Sequence, residues 1–222
     1  MQDIYSTNPK TLGRGICIIT GASRGFGRAL AQEVSYFSKP GSVLLLVARS
    51  NTMLQELKEE LQSLTKDQQL MVHCIAVDLS TREGVHETVR VARQEAINEM
   101  DHVLLINNAG ILQVFPCRPG LRWSVVNVSS VFATQALPSW VLYCTAKAAR
   151  KMMFGVLAEE EPNVKVLSYS PGPMDTDMQV DIRRLTGSNH HLLPCQESAA
   201  KLMKLLLDNN FLSGKHLDFF EV

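Results

Sequence analysis

The chain lacks an excess of either charge: its 22 lysines and arginines balance 22 aspartates and glutamates. That balance leaves no electrostatic footprint for nucleic acid or an anionic membrane, so a small molecule is the expected partner. Long apolar runs are missing as well. The longest, over residues 43–48, is far below the roughly 18 residues a membrane helix needs, and residues 1–15 hold no apolar stretch of signal-peptide length. A soluble protein with a short flexible lead-in over 1–14 is expected. Cysteine is scarce and unpatterned. The five present, Cys17, Cys74, Cys117, Cys144 and Cys195, are odd in number, scattered and free of any C-x-x-C frame, which argues against a disulfide framework or zinc site and suits a reducing cytoplasm. His190 and His191 have neither an H-E-x-x-H frame nor acidic partners, so they read as part of a surface loop over 185–194, and no metal is expected.

What is present is an alternation. Short runs rich in leucine and β-branched residues occur over 16–20, 43–47, 71–77, 103–106, 125–128, 164–168 and 216–219, with helical patterns between them. Most of the short runs are apolar at consecutive positions, as strands covered on both faces are. Leu54, Leu57, Leu61 and Leu64 mark one helical face, and Val85, Val89 and residues 92–96 another. Neither a repeat nor a linker interrupts the order. The expected fold is therefore a doubly wound parallel α/β sheet of Rossmann type, folded as one domain over 1–222.

After the first expected strand comes Thr20-Gly21-Ala22-Ser23-Arg24-Gly25-Phe26-Gly27, followed by a helical pattern. Glycines permit a tight turn and close backbone approach, and the following helix aims unpaired N–H groups and its positive dipole end at a pyrophosphate. A glycine triplet alone says little; its place between a strand and a helix makes it a dinucleotide turn. Where an enzyme using NAD carries an acidic residue for the ribose hydroxyls, this chain has Ala48-Arg49-Ser50. Arg49 and Arg24 offer two guanidinium groups suited to a 2′-phosphate, so NADPH is expected over NADH.

Ser129 and Ser130 close a strand, and Tyr143 and Lys147 stand four apart on one face of the next helix. A phenol with an ordinary pKa near 10 is a poor acid at neutral pH, and a neighbouring ammonium favours its phenolate. Tyr143 is thus the expected proton donor to a carbonyl oxygen that Ser130 polarises while hydride reaches the carbon. Together with Asp78-Leu79, Asn107-Asn108-Ala109-Gly110 and the glycine turn, these residues resemble the short-chain dehydrogenase/reductase family across nearly the whole chain.

The resemblance implies that Asp78 and Leu79 hold an adenine, that the turn beginning at Asn107 supports the cofactor, and that Lys147 also binds the nicotinamide ribose. It places Gly172 beside the substrate and Met174, Asp175, Thr176, Asp177, Met178 and Gln179 in a loop over the nicotinamide. Within the family the wording around Trp140, 161–164, 171–178 and 213–219 is closest to reductases of pterin side-chain carbonyls in tetrahydrobiopterin synthesis. There the aspartate matching Asp218 anchors the pterin, as a carboxylate suits a guanidine-like edge. Family members pair as homodimers.

One stretch departs from this pattern. Between Gly110 and Ser124 lie only residues 111–123, with Pro116, Pro119 and Gly120 among them. A parallel crossover unit takes about 30 residues or more with its strands, so a crossover helix is expected to be missing or truncated here, by an internal deletion near Gln113. That helix carries the family's relay asparagine and much of its subunit interface. Two alternatives follow: a general NADPH carbonyl reductase, or an NADP-binding chain impaired in turnover.

Overall fold

The computed structural model describes residues 10–65, 69–95, 100–109, 121–187 and 191–222, without the side chains of 185 and 186. Seven strands form one sheet: β1 (Gly15–Thr20), β2 (Val43–Ala48), β3 (Met71–Ala76), β4 (His102–Asn107), β5 (Arg122–Val128), β6 (Val164–Ser170) and β7 (Lys215–Asp218). Their order is β3-β2-β1-β4-β5-β6-β7, and every neighbouring pair is parallel. The order reverses between β1 and β4. In open α/β sheets ligands bind in the crevice outside the strand carboxyl ends at that switch point.

The helices are α1 (Gly25–Phe37), α2 (Asn51–Leu64), α3 (Arg82–Glu95), α4 (Val141–Glu160), α5 (Asp177–Thr186) and α6 (Cys195–Asp208). Strand residues sort by parity into two cores. Cys17, Ile19, Leu44, Leu46, Leu104, Ile106, Val126 and Leu167 pack with Leu30, Leu57 and Leu202 of α1, α2 and α6. Ile16, Ile18, Val43, Leu45, Val103, Val125 and Val166 pack with Ala92, Phe154 and Leu157 of α3 and α4. This two-sided burial is why the central strands read as unbroken apolar runs. The edge strand β3 departs from it, with Met71 45 % exposed.

Two helical faces differ from expectation. On α2, Leu54, Leu57 and Leu61 are fully buried, but Leu64 in the last turn is exposed. On α3 the buried stripe is Gly84, Thr88 and Ala92, while Val85 and Val89 stand only partly covered. Gly84 leads that stripe because a Cβ there would lie 2.1 Å from the Asp78 carbonyl oxygen, so the helix turns its smallest residue inward.

Of the expected lead-in, residues 10–14 are already tied down. Leu12 is buried, its N–H donates to the Phe37 carbonyl at 2.9 Å, the Arg14 N–H donates to Asp101 at 3.2 Å, and Lys10 pairs with Asp208. The residues at the expected deletion, 110–120, and His190 lie outside the described residues. Among the described residues no helix stands between β4 and β5, which pair in register from His102↔Arg122 to Asn107↔Asn127. Both strands keep buried central residues. Exposed apolar side chains instead lie on α4, at Val141, Leu142, Met152, Met153 and Val156. No described helix is long and apolar enough to cross a membrane.

Candidate active site

The glycine turn leaves β1 at Thr20 and enters α1 at Gly25. The N–H groups of Gly21 and Ala22 both donate to the Val47 carbonyl, at 2.7 and 3.2 Å, which fastens the turn to the end of β2. Gly21 has φ +68°, and a Cβ on Gly27 would lie 2.2 Å from the Gly21 carbonyl oxygen. The turn and the first helical residues therefore touch backbone to backbone, and no side chain fits between them. No side chain caps α1, and its first turn carries no acidic residue. Its leading N–H groups and dipole are left for an external anion.

The end of β4 braces this turn. The Thr20 hydroxyl accepts from the Ala109 N–H at 2.9 Å, and the Asn108 side-chain amide donates to the Gly21 carbonyl at 3.3 Å. Asn107 is fully buried. Its side-chain oxygen accepts from Thr20 at 3.4 Å, so its role is to support the turn from beneath. The shape and chemistry of this cradle fit the pyrophosphate of a dinucleotide.

Both expected arginines lie close to carboxylates. Arg24 is ion-paired with Asp177 at the start of α5, and Arg49 lies near enough to Asp78 for its charge to bear on that carboxyl. Asp78 is held below the usual carboxylate range, first by the Ser80 N–H that donates to it at 2.9 Å, then by the Ser80 side chain and by Arg49. Ser50 is engaged too, accepting from the Met53 N–H at 3.4 Å as the N-cap of α2. Leu79, partly covered, packs against the α3–α4 core.

The residues expected to carry the chemistry lie at the ends of β5 and α4. Ser129 follows β5 but is 3 % exposed, and its Oγ is sealed without a hydrogen-bond partner; it faces inward rather than presenting a hydroxyl to a substrate. Ser130 opens a 3-10 turn, Val131–Ala133, and its Oγ accepts from the Phe132 N–H at 3.3 Å. A serine oxygen engaged as acceptor still has its own proton to donate.

Tyr143 stands edge-on to Trp140, with ring centroids 5.3 Å apart at 90°. The Lys147 ammonium sits 5.7 Å from the Tyr143 ring centroid and donates to the Val128 carbonyl at 3.1 Å. Burial holds the Lys147 pKa down to about 8, and the positive charge of Arg150 adds to the effect. The sequence reading missed Arg150. It lies seven positions after Tyr143 and three after Lys147, the spacing of one helical face, which was the available signal.

The segment after β6 crosses back over the glycine turn. Gly172 has φ +77°, and Met174 bridges to Leu193, whose carbonyl accepts from the Asp175 N–H at 2.9 Å. A Cβ on Gly25 would lie 3.3 Å from the Thr176 methyl, so Thr176 is at the turn itself. Met178 is exposed, and Gln179 is bound through its N–H to the Thr176 carbonyl. Asp218 ends β7. One carboxylate oxygen accepts from the Phe220 N–H at 3.0 Å, while the other is buried with no hydrogen-bond partner. Nearby, the Ser170 hydroxyl and His216 are hydrogen-bonded at 2.7 Å, a second pair that the sequence did not single out.

Known proteins resemble this chain. The family model described as short chain dehydrogenase matches residues 15–119 and 122–186. Sepiapterin reductase of Rattus norvegicus is 40 % identical over 259 residues, covering 95 % of this chain and 98 % of its own. That of Xenopus laevis is 41 % identical over 257 residues, covering 95 % and 97 %. Both alignments exceed the 222 residues here, so these relatives carry residues that this chain does not. A short chain dehydrogenase from Salmonella enterica serovar Typhi shares the fold, with TM-score 0.73 and 22 % identity over 96 % of this chain and 99 % of that one.

Proposed function

The chain belongs to the short-chain dehydrogenase family and is an oxidoreductase for which family and fold imply a nicotinamide cofactor; on that premise, we propose that it reduces a pterin side-chain carbonyl with NADPH. The observation that carries this reading is the reach of Lys147. From α4 its ammonium spans to the Val128 carbonyl, two residues before Ser130, while standing over Tyr143. The ends of β5 and α4 are thereby drawn to one place beside the switch point.

In this reading the turn over residues 21–27 and the first turn of α1 hold the pyrophosphate, with Asn107 and Asn108 bracing from β4. Asp78 and Leu79 flank the adenine. Arg49, and Arg24 once released from Asp177, hold the 2′-phosphate. The bound reduced nicotinamide supplies hydride. Ser130 donates its free hydroxyl proton as a hydrogen bond to the substrate carbonyl, which polarises it. Tyr143 gives the oxygen its proton. Lys147 keeps a positive charge beside the phenol and, through Val128, fixes the helix against the strand that carries Ser130. Thr176 and its neighbours close over the cofactor.

Asp218 supplies the preference for a pterin. One of its carboxylate oxygens is buried without a partner, and once uncovered it would accept an N–H of an amino-pyrimidine edge. The free thiols Cys17, Cys74, Cys144 and Cys195 suit a cytoplasmic setting. A second reading, an NADP-binding chain with little turnover, is favoured by the residues that the relatives carry and this chain lacks.

The test is direct. NADPH binding by the purified chain is measured, then NADPH consumption is followed with sepiapterin and with a simple diketone, with Tyr143→Phe as control. Consumption with sepiapterin that disappears in Y143F supports the proposal. Binding without Tyr143-dependent consumption supports the second reading, and preference for the diketone points to a general carbonyl reductase.

A further inference from the structure

Arg150 is a partly buried cation on the same face of α4 as Tyr143 and Lys147. Its Nη2 donates to the Asn107 carbonyl at 2.9 Å, at the carboxyl end of β4 where the brace beneath the glycine turn begins. Its Nε is buried with no hydrogen-bond partner. A guanidinium held half-satisfied out of water is costly, and a surface-directed side chain at this position would avoid the cost. The arm is turned toward β4, whose carboxyl end it reaches at Asn107.

We propose that Arg150 is a positioning residue for the Tyr143–Lys147 pair, tying the middle of α4 to the Asn107 carbonyl and setting a permanent cation beside the lysine's ammonium. The inference rests on the reading of Tyr143 and Lys147 given above. Two physical effects follow from the one side chain. The first is registry. Lys147 fastens α4 to the end of β5 through Val128, and Arg150 fastens it to the end of β4 through Asn107. With both tethers, the tyrosine face cannot slide along one strand without breaking a bond to the other. The second is electrostatic. A guanidinium stays charged at any working pH, so it disfavours the ammonium of Lys147 next to it.

The groups that face Lys147 are Tyr143 and Arg150 from its own helix and the Val128 carbonyl from β5; β4 contributes the Asn107 carbonyl to Arg150. Arg150 is therefore the neighbouring charge whose removal should let the lysine hold its proton to higher pH. Burial remains and keeps it below a free lysine.

The test uses the whole chain and three variants, Arg150→Lys, Arg150→Gln and Arg150→Met. The first keeps the charge, the second keeps a donor for Asn107 without the charge, and the third removes both. The readout that does not depend on turnover is the pH dependence of Lys147 acylation, followed by competitive labelling and mass spectrometry. The midpoint should rise by roughly half a unit or more in R150Q and R150M and stay near that of the unsubstituted chain in R150K. The second readout is the alkaline limb of carbonyl reduction, which should move up with the midpoint. In R150M, kcat should also fall by roughly tenfold or more, with the KM for NADPH nearly unchanged. An unmoved Lys147 midpoint in R150Q and R150M overturns the proposal and leaves Arg150 a structural strut. If R150M does not fold, R150Q decides. Absence of turnover in the unsubstituted chain would count against the reductase reading, while the labelling midpoint would still decide the role of Arg150.

Discussion

Replacing Lys147 by methionine should abolish turnover and make the NADP-free fold more stable at pH 7. The lysine is held down to about pKa 8, from an ordinary 10.5, chiefly by burial. A difference of that size corresponds to about 3 kcal/mol of penalty for carrying the charge in the fold at neutral pH. Methionine has a similar length and no charge, so it removes the penalty. It also removes the donor to the Val128 carbonyl, a loss of about 1 kcal/mol. The net gain is about 2 kcal/mol. The sign with pH follows from linkage. Between about 8 and 10.5 the unfolded chain keeps a proton that the folded chain has released, so the stability of the unsubstituted protein rises across that window. The methionine variant lacks this rise. Its advantage should be largest at pH 7 and vanish by about pH 10. Urea unfolding followed by circular dichroism at both pH values measures the gap, and effects common to both proteins cancel. A K147M chain less stable than its parent at pH 7, or a gap unchanged at pH 10, would refute the argument that the buried ammonium is a stability cost retained for chemistry.

Three further outcomes follow from named contacts. Burial, with help from the Arg122 charge, pushes His102 down to about 4. As pH falls from 6.5 towards 4 the unfolded chain takes up a proton that the fold refuses, and about 3 kcal/mol should be lost. His102→Gln, which can still bond the Ser124 hydroxyl, should flatten that part of the acid limb in urea unfolding. Asp177→Asn frees Arg24 from an exposed ion pair, and fluorescence titration should show NADPH binding up to about fivefold tighter with NADH unchanged; equal tightening of both would remove Arg24 from the 2′-phosphate. Gly27→Ala forces a Cβ onto the Gly21 carbonyl, whereas Gly155→Ala on α4 meets nothing within 4 Å. The first should lower the melting temperature and weaken NADPH binding by roughly tenfold or more, while the second should raise the melting temperature through roughly 0.5–1 kcal/mol of helix propensity.

The central strands and their parallel arrangement were legible because burial on both faces writes consecutive apolar residues into them. The glycine turn was legible because backbone contact leaves glycine as the residue that fits at position 27. The closeness of Tyr143 and Lys147 was legible by spacing. What spacing could not supply was the commitment of side chains to one another. Arg24 read as an available cation because Asp177 is remote in sequence, and the run Ala48-Arg49-Ser50 did not reveal that a helix start uses the Ser50 oxygen. Ser129 and Ser130 are neighbours of the same type, and only the direction of the strand end decides that one is sealed while the other can donate.

Register supplies the remaining step, from strands to a site. Ile19 pairs with Ile106, Asn107 with Asn127, Asn127 with Ser168, and Ser168 with His216. Thr20, Asn107, Asn127, Ser168 and His216 thus stand in one row across the sheet, on the face toward α3 and α4, one step beyond the apolar residues Ile18, Leu105, Val125 and Val166. Thr20 bonds Asn107 at 3.4 Å and Asn127 bonds Ser168 at 3.1 Å, so the row is joined at two places within the sheet. Polar groups this deep are tolerated when they bond one another, and a polar row gives the apolar core a defined upper limit. Above that limit lie the glycine turn, Ser130 and the residue before each crossover. The floor of the site is therefore set by which strand residues align. The level at which Tyr143, Lys147 and Arg150 meet the sheet is thus set by the β4–β5 ladder and not by the stretch that joins the two strands.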